Sequence, residues 1–163
     1  MKFVLFRHAQ KGFVPFDDPE LSPKGFAESA KIPDLIRRSV LPVPTRLLVS
    51  PKRRTAQTFY PTAKDFDLDL VVERNLDQRN AEEGPNQFRE RIRLFIDQVS
   101  DEKAADGCFF ACTHYDVIEE SMSLIPCDRD LNTFEFSHWA PVQYVVFEIK
   151  SGLWKYIKKG DAR

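Results

Sequence analysis

No apolar run in the 163-residue chain approaches the roughly 20 residues a membrane-crossing helix needs, and the amino terminus lacks the longer apolar core and cleavage site of a secretory signal. Cysteine is scarce. Cys108, Cys112 and Cys127 are three, an odd number without framework spacing, which argues against a disulfide-stapled secreted scaffold and suits a reducing compartment. Neither sign of charge is in excess: 30% of residues are charged and the net charge is −1, so no global field points to nucleic acid or an anionic membrane. Aromatic and basic residues are not interleaved as in nucleic-acid binders, and repeats and low-complexity segments are missing. These absences predict a soluble, cytoplasmic protein without a nucleic-acid or membrane partner, in which any anion site is local. The length suffices for a single domain spanning residues 1–163, with a core that needs neither disulfide nor metal.

What is present alternates between two periodicities. Lys2 to Phe6 is a short run of β-formers that reads as a buried strand and stops at Arg7-His8. A loop rich in Gly, Pro and Asp follows from Lys11 to Glu20. Leu21-Ser22-Pro23 then signals a helix, with Ser22 as N-cap, Pro23 in the first turn and Leu21 stapled against Phe26. Pro33 should break or restart that helix, and Pro42 and Pro44 end the segment. Arg46 to Ser50 reads as a second buried strand, with Ser50-Pro51 opening a helix through about Ala63. Leu68 to Glu73 predicts a third strand near an edge, and Asn75 to Asn86 a polar loop. Phe88, Ile92, Phe95, Ile96 and Val99 recur at helical spacing and mark a core-facing stripe. Asp106-Gly107 reads as a turn before a continuous apolar strand, Cys108 to Thr113, which ends at His114. A helix from Asp116 to Leu124, a loop over 127–139 containing a structural His138-Trp139, and a hairpin turning at Ser151-Gly152 complete the chain. Strands alternating with helices predict an α/β fold: a three-layer α/β/α sandwich with a mostly parallel central sheet and an antiparallel edge.

Three of these strands stop at polar groups of matching chemistry. They are Arg7-His8, then Ser50 with Arg54 shortly after, then His114. In a parallel sheet their carboxyl ends share a rim, which is where open α/β sheets bind ligands. Arg54, in the first turn of its helix, could serve one anion together with the helix amides. Two arginines and two histidines converging on one rim describe a phosphoryl site. Cys108, Cys112 and His114 on a single strand do not have a usual zinc spacing, so the cysteines read as small buried apolar residues and no metal is expected.

These residues resemble the histidine phosphatase superfamily, also called phosphoglycerate mutase-like. Its strand followed by Arg-His-Gly-Glu/Gln is similar to Phe3-Val-Leu-Phe-Arg-His-Ala-Gln10, with Ala9 in place of the usual glycine. Its Leu-Ser/Thr-x-x-Gly segment resembles Leu21-Ser-Pro-Lys-Gly25, and its Ser-Pro-x-x-Arg-Ala-x-Gln-Thr motif resembles Ser50 to Thr58, which singles out Arg54 rather than Arg53. Ala111-Cys-Thr-His114 is similar to the family's second histidine. The matches fall in family order between residues 3 and 118, and they are specific as a set.

The resemblance implies a metal-independent, cofactor-free phosphatase acting on a phosphate monoester or a protein phosphohistidine. Small bacterial phosphohistidine phosphatases are of similar build. His8 would be the nucleophile and become phosphorylated, while Arg7, Arg54 and His114 bind the phosphoryl oxygens together with Gln10. The general acid is where the pattern departs. Gln78 stands in Leu76-Asp-Gln-Arg79 where the family often carries a glutamate, so Glu82 and Glu83 become the candidates, beside Asp77, Glu73 and Asp116. A phosphoramidate or acyl phosphate would need no strong acid. Lys11 and Arg53 lie close enough in sequence to help attract an anionic substrate. The competing reading is a non-catalytic phosphate-binding adaptor that keeps the pocket, for which a phosphorylated small molecule or phosphohistidine protein would be ligand rather than substrate.

Overall fold

The computed structural model describes residues 1–101 and 107–163; the turn expected at Asp106-Gly107 lies in part outside the described residues. Six strands form one sheet in the order β3-β2-β4-β1-β5-β6. β1 (Lys2–Arg7), β2 (Arg46–Val49), β3 (Leu70–Val72) and β4 (Cys108–Thr113) run parallel. β5 (Gln143–Lys150) and β6 (Leu153–Asp161) are antiparallel and make the far edge. The short β3, exposed at Val71 and Val72, is the other edge, in keeping with its alternating pattern.

The central strands are apolar on both faces because both are covered. On β1, Val4 and Phe6 point into a core with Leu47, Val49, Phe110 and Cys112 beneath α1 (Pro23–Ser29), α2 (Ile32–Arg37) and α3 (Arg53–Phe66). Phe3 and Leu5 point the other way, to Phe109 and Ala111 under α4 (Pro85–Ser100) and α5 (Tyr115–Leu124). Phe88, Ile92, Phe95, Ile96 and Val99 of α4 are all buried in that second core, the stripe read from their spacing. The result is the three-layer α/β/α arrangement.

Local signals explain several boundaries. Ser22 caps α1, its Oγ accepting from the Gly25 N–H at 3.0 Å, and Pro33 lies in the first turn of α2, where a helix tolerates proline. Gly25 is required by close approach, since a Cβ there would lie 2.0 Å from the Gln10 carbonyl oxygen. Three expectations need correction. Phe26 does not bury itself over Leu21; it is 46% exposed. α3 starts at Arg53 with Lys52 as N-cap, two residues beyond the expected Pro51; the Ser50 hydroxyl accepts the Lys52 N–H at 3.2 Å in a turn ahead of the helix and also bonds His114 and Thr55. The loop from Asn75 is also shorter than expected: a 3-10 turn occupies Arg74–Leu76, and Pro85 opens α4 ahead of the apolar stripe. A second 3-10 turn, Phe134–Phe136, interrupts the 127–139 loop.

The placement of the site follows from topology. β1 and β4 are parallel neighbours, with Arg7 paired to Thr113. The chain leaving β1 crosses to the face of α1 to α3, while the chain leaving β4 enters α5 on the opposite face. The two connections part at this point, so a crevice opens at the carboxyl ends of β1 and β4.

Candidate active site

His8 and His114 stand at the two sides of that crevice, with ring centroids 5.3 Å apart and exposures of only 5% and 3%. The His8 backbone N–H donates to the Thr113 carbonyl at 2.9 Å, continuing the β1–β4 ladder one residue past the strand and fixing where the ring emerges. Nδ1 lies 2.6 Å from the Ala9 carbonyl, an acceptor only, so that nitrogen carries the proton. Nε2 is therefore the lone-pair nitrogen, and it accepts from Arg54 Nε at 3.3 Å.

Arg54 is the hub. It is 2% exposed, and its guanidinium reaches four residues: His8, His114 Nδ1 at 3.2 Å, Gln78 Oε1 at 2.6 Å and Asp18 Oδ1 at 3.5 Å. A guanidinium only donates, so His114 Nδ1 is an acceptor and the His114 proton sits on Nε2, which donates to Ser50 Oγ at 2.8 Å. The backbone around Arg54 is tied back to the nucleophile loop: Thr58 Oγ1 donates to the Arg54 carbonyl at 2.6 Å and accepts the Ala9 N–H at 3.0 Å. Arg7 enters from β1, its Nη1 donating to the Trp139 carbonyl at 2.5 Å and its guanidinium lying 5.4 Å from the centre of the Tyr115 ring. Its Nε is buried without a hydrogen-bond partner. A buried donor left unpaired, on a guanidinium whose charge also acts on His8, is suited to an anion.

Burial pushes the His8 pKa down from 6.5 to about 3, helped by Arg54, Arg7 and Lys11 and opposed by the bond to Ala9. His114 is lowered well below its usual value by burial first, then by His8 and Arg54. Burial lowers Arg7 and Arg54 as well. Both histidines are thus neutral in the folded protein near neutrality. The unfolded chain takes up protons on them below about pH 6.5 while the folded chain does not, so stability is to fall as pH drops from about 6.5 towards 4, by up to about 1.4 kcal/mol per pH unit for each. Urea titrations across that range check this, and His8→Gln should flatten the slope.

The other sequence-predicted groups are placed as follows. Gln10 is oriented by the loop: its Oε1 accepts from Ser22 Oγ at 2.8 Å, and its backbone N–H donates to Glu28 at 2.9 Å. Glu83 is held by Arg91 through two bonds of 2.8 Å, and that pairing lowers its pKa, the reverse of what a proton donor needs. Glu82 is exposed, its backbone N–H bonded to Asn80. Glu73 caps the turn at Asn75, and Asp116 accepts the backbone N–H groups of Arg79 and Val117. Of the candidate acids, Asp77 alone comes within ion-pair range of a site histidine among the described residues, 3.9 Å from His114 Nε2. Arg53 pairs with Glu20 at 3.3 Å and Asp18 at 3.9 Å, and its side chain stays more than half exposed. Among the described residues no group of three or more His, Cys, Asp or Glu side chains is placed to hold a metal ion, and no helix is long and apolar enough to cross a membrane.

Two participants carry no readable signal in the sequence. Trp139 contributes a backbone carbonyl, which any residue type would supply. Asp18 sits in a loop without periodicity, and only folding brings it to Arg54.

No family model matches the chain, and a search of curated proteins finds no match. Solved structures do match over nearly its whole length. A protein histidine phosphatase, SixA, complexed with tungstate superposes with a TM-score of 0.76 at 14% identity, covering 99% of this chain and 97% of that one. A mutant phosphoserine phosphatase from Entamoeba histolytica in complex with phosphoserine gives 0.77 at 10% identity, covering 99% and 98%. A candidate alpha-ribazole-5'-P phosphatase from Escherichia coli K-12 gives 0.80 at 13% identity, also 99% and 98%. The chain has the fold these phosphatases share, the phosphoglycerate mutase-like fold expected from its motifs. At these identities the likeness establishes the architecture, and the chemistry rests on the site.

Proposed function

We propose that the protein is a phosphatase that passes a phosphoryl group through His8. The observation that carries this reading is the state of the His8 ring. Its proton is fixed on Nδ1 by Ala9, its Nε2 lone pair accepts from Arg54 Nε and is freed when that guanidinium turns to a phosphoryl oxygen, and its pKa of about 3 keeps that nitrogen unprotonated. The Nε2 pair attacks phosphorus, the bond to the leaving group breaks and its electron pair leaves with that group. The positive charge gained by the ring is shared with the Ala9 carbonyl through the Nδ1 proton. Water then attacks the phosphohistidine, releasing phosphate and neutral His8. Arg54 and the open Nε of Arg7 supply donors for the oxygens, and His114, held by Ser50, lines the other side. A cytoplasmic location fits the buried free thiols of Cys108 and Cys112.

The finer reading concerns the leaving group. Gln78 occupies the expected acid position and is bound to Arg54, while Glu83 is bound to Arg91. This favours substrates whose leaving group departs readily, a phosphoramidate such as protein phosphohistidine, or an acyl or aryl phosphate. Incubating the protein with an aryl phosphate in EDTA and quenching should give an acid-labile, alkali-stable phosphoryl group on His8, with turnover of a phosphohistidine peptide far faster than of an alkyl phosphate. Equal rates across those leaving groups would sink the finer reading, and turnover without the adduct would sink the covalent one. Phosphate binding without either would favour the adaptor.

A further inference from the structure

Asp18 sits where a phosphoryl site should not hold a negative charge. Its carboxylate accepts the backbone N–H of Arg53, at the start of α3, with both oxygens at 3.3 Å, and its Oδ1 lies 3.5 Å from Arg54 Nη1. These donors, a helix N-terminal amide and a buried guanidinium, are the pair suited to a phosphoryl oxygen. The carboxylate arrives on the loop between β1 and α1, which is anchored at its ends by the Lys11–Leu21 bridge and the Gly12 N–H to Glu20 carbonyl bond of 2.7 Å, and which exposes Phe13 and Phe16 almost completely. Asp18 keeps 26% of its side chain in contact with solvent, so it has somewhere to go when displaced. The other directions of Arg54 are taken by Gln78 and the two histidines, all neutral, so Asp18 is the one anionic side chain hydrogen-bonded to its guanidinium among the described residues.

We propose that Asp18 is the affinity-setting group of the site, an internal carboxylate that holds Arg54 in the free protein and must yield to an incoming phosphoryl oxygen. The inference rests on the anion site proposed above. Its consequence is selective: a free oxyanion, including the phosphate product, has to displace Asp18 with no help from the rest of a substrate, so the site binds product weakly and clears it quickly. A substrate whose body also contacts the loop gains what free phosphate lacks.

Calorimetric titration of inorganic phosphate and of tungstate into wild-type protein, Asp18→Asn and Asp18→Ala tests this, with Asp17→Asn as the control for net charge. Removing one nearby like charge is to tighten oxyanion binding by about tenfold or more in both Asp18 variants, while Asp17→Asn changes it little. Phosphate inhibition of turnover should strengthen in parallel. Unchanged or weaker binding in the Asp18 variants, with wild-type binding intact, overturns the role of Asp18 and leaves the phosphatase reading standing. Equal tightening in Asp17→Asn reduces the effect to bulk charge and also overturns it. If no form binds either anion, the anion site itself is wrong.

Discussion

His8→Ala is expected to lower kcat by at least about 10³-fold while keeping the far-UV spectrum of the folded protein and lowering its thermal transition only modestly, because the ring holds an unprotonated Nε2 at the crevice with the opposite proton fixed. A covalent mechanism cannot lose its nucleophile and retain more than the electrostatic remainder of the site. Stopped-flow and steady-state assays with an aryl phosphate read the loss, and the phosphoryl label on the protein should vanish with it. The substitution also removes a ring that is buried and uncharged, so the fold loses packing but no ion pair. Near wild-type turnover in this variant would end the proposal that the group passes through His8.

Arg54→Lys is expected to cost about 10²- to 10³-fold in kcat/KM although the charge is kept. Arg54 reaches His8, Gln78, His114 and Asp18 in four directions from a planar fork, whereas an ammonium is a single point with three donors and would abandon some of them. Two of the released partners matter directly. Without the donor at Nδ1, His114 loses the bond that fixes its tautomer, and without Nε, His8 is free to turn about its bond to Ala9. The loss should appear in both kcat and KM, and arginine restored at that position should recover both. A Lys variant within tenfold of wild type would show that charge alone suffices and that the fork geometry is incidental.

The sequence carries the frame of this protein more fully than the detail of its site, for physical reasons. Strands covered on both faces, such as Cys108 to Thr113, must be continuously apolar, and an amphipathic helix such as α4 must repeat at helical spacing, so both are legible at a glance. His8, Arg54 and His114 are legible because each follows an apolar strand that has to end on the same rim. What escapes reading depends on distant pairs. Ser-Pro at Ser50 is a local cap signal, yet the Ser50 hydroxyl bonds His114, 64 residues away in sequence. Glu83 reads as an acid beside the site, but Arg91, in the second turn of α4, holds it as a carboxylate. In each case a competing partner, invisible in a one-dimensional pattern, decides the role.

The last strand gives the site a further property. Lys159 on β6 donates to the carbonyl of Glu135 at 2.6 Å and to that of His138 at 2.7 Å, and its ammonium lies 4.2 Å from the centre of the Trp139 ring. Trp139 in turn offers the carbonyl that receives Arg7, from the first strand. A chain of contacts therefore ties Arg7 at the crevice to β6 through Trp139, and pairings of such long sequence separation slow folding. During refolding, helical signal and compactness should return before activity does. A ribosome-bound or carboxyl-truncated chain that already contains His8, Arg54 and His114 would hold every reactive group and still be inert.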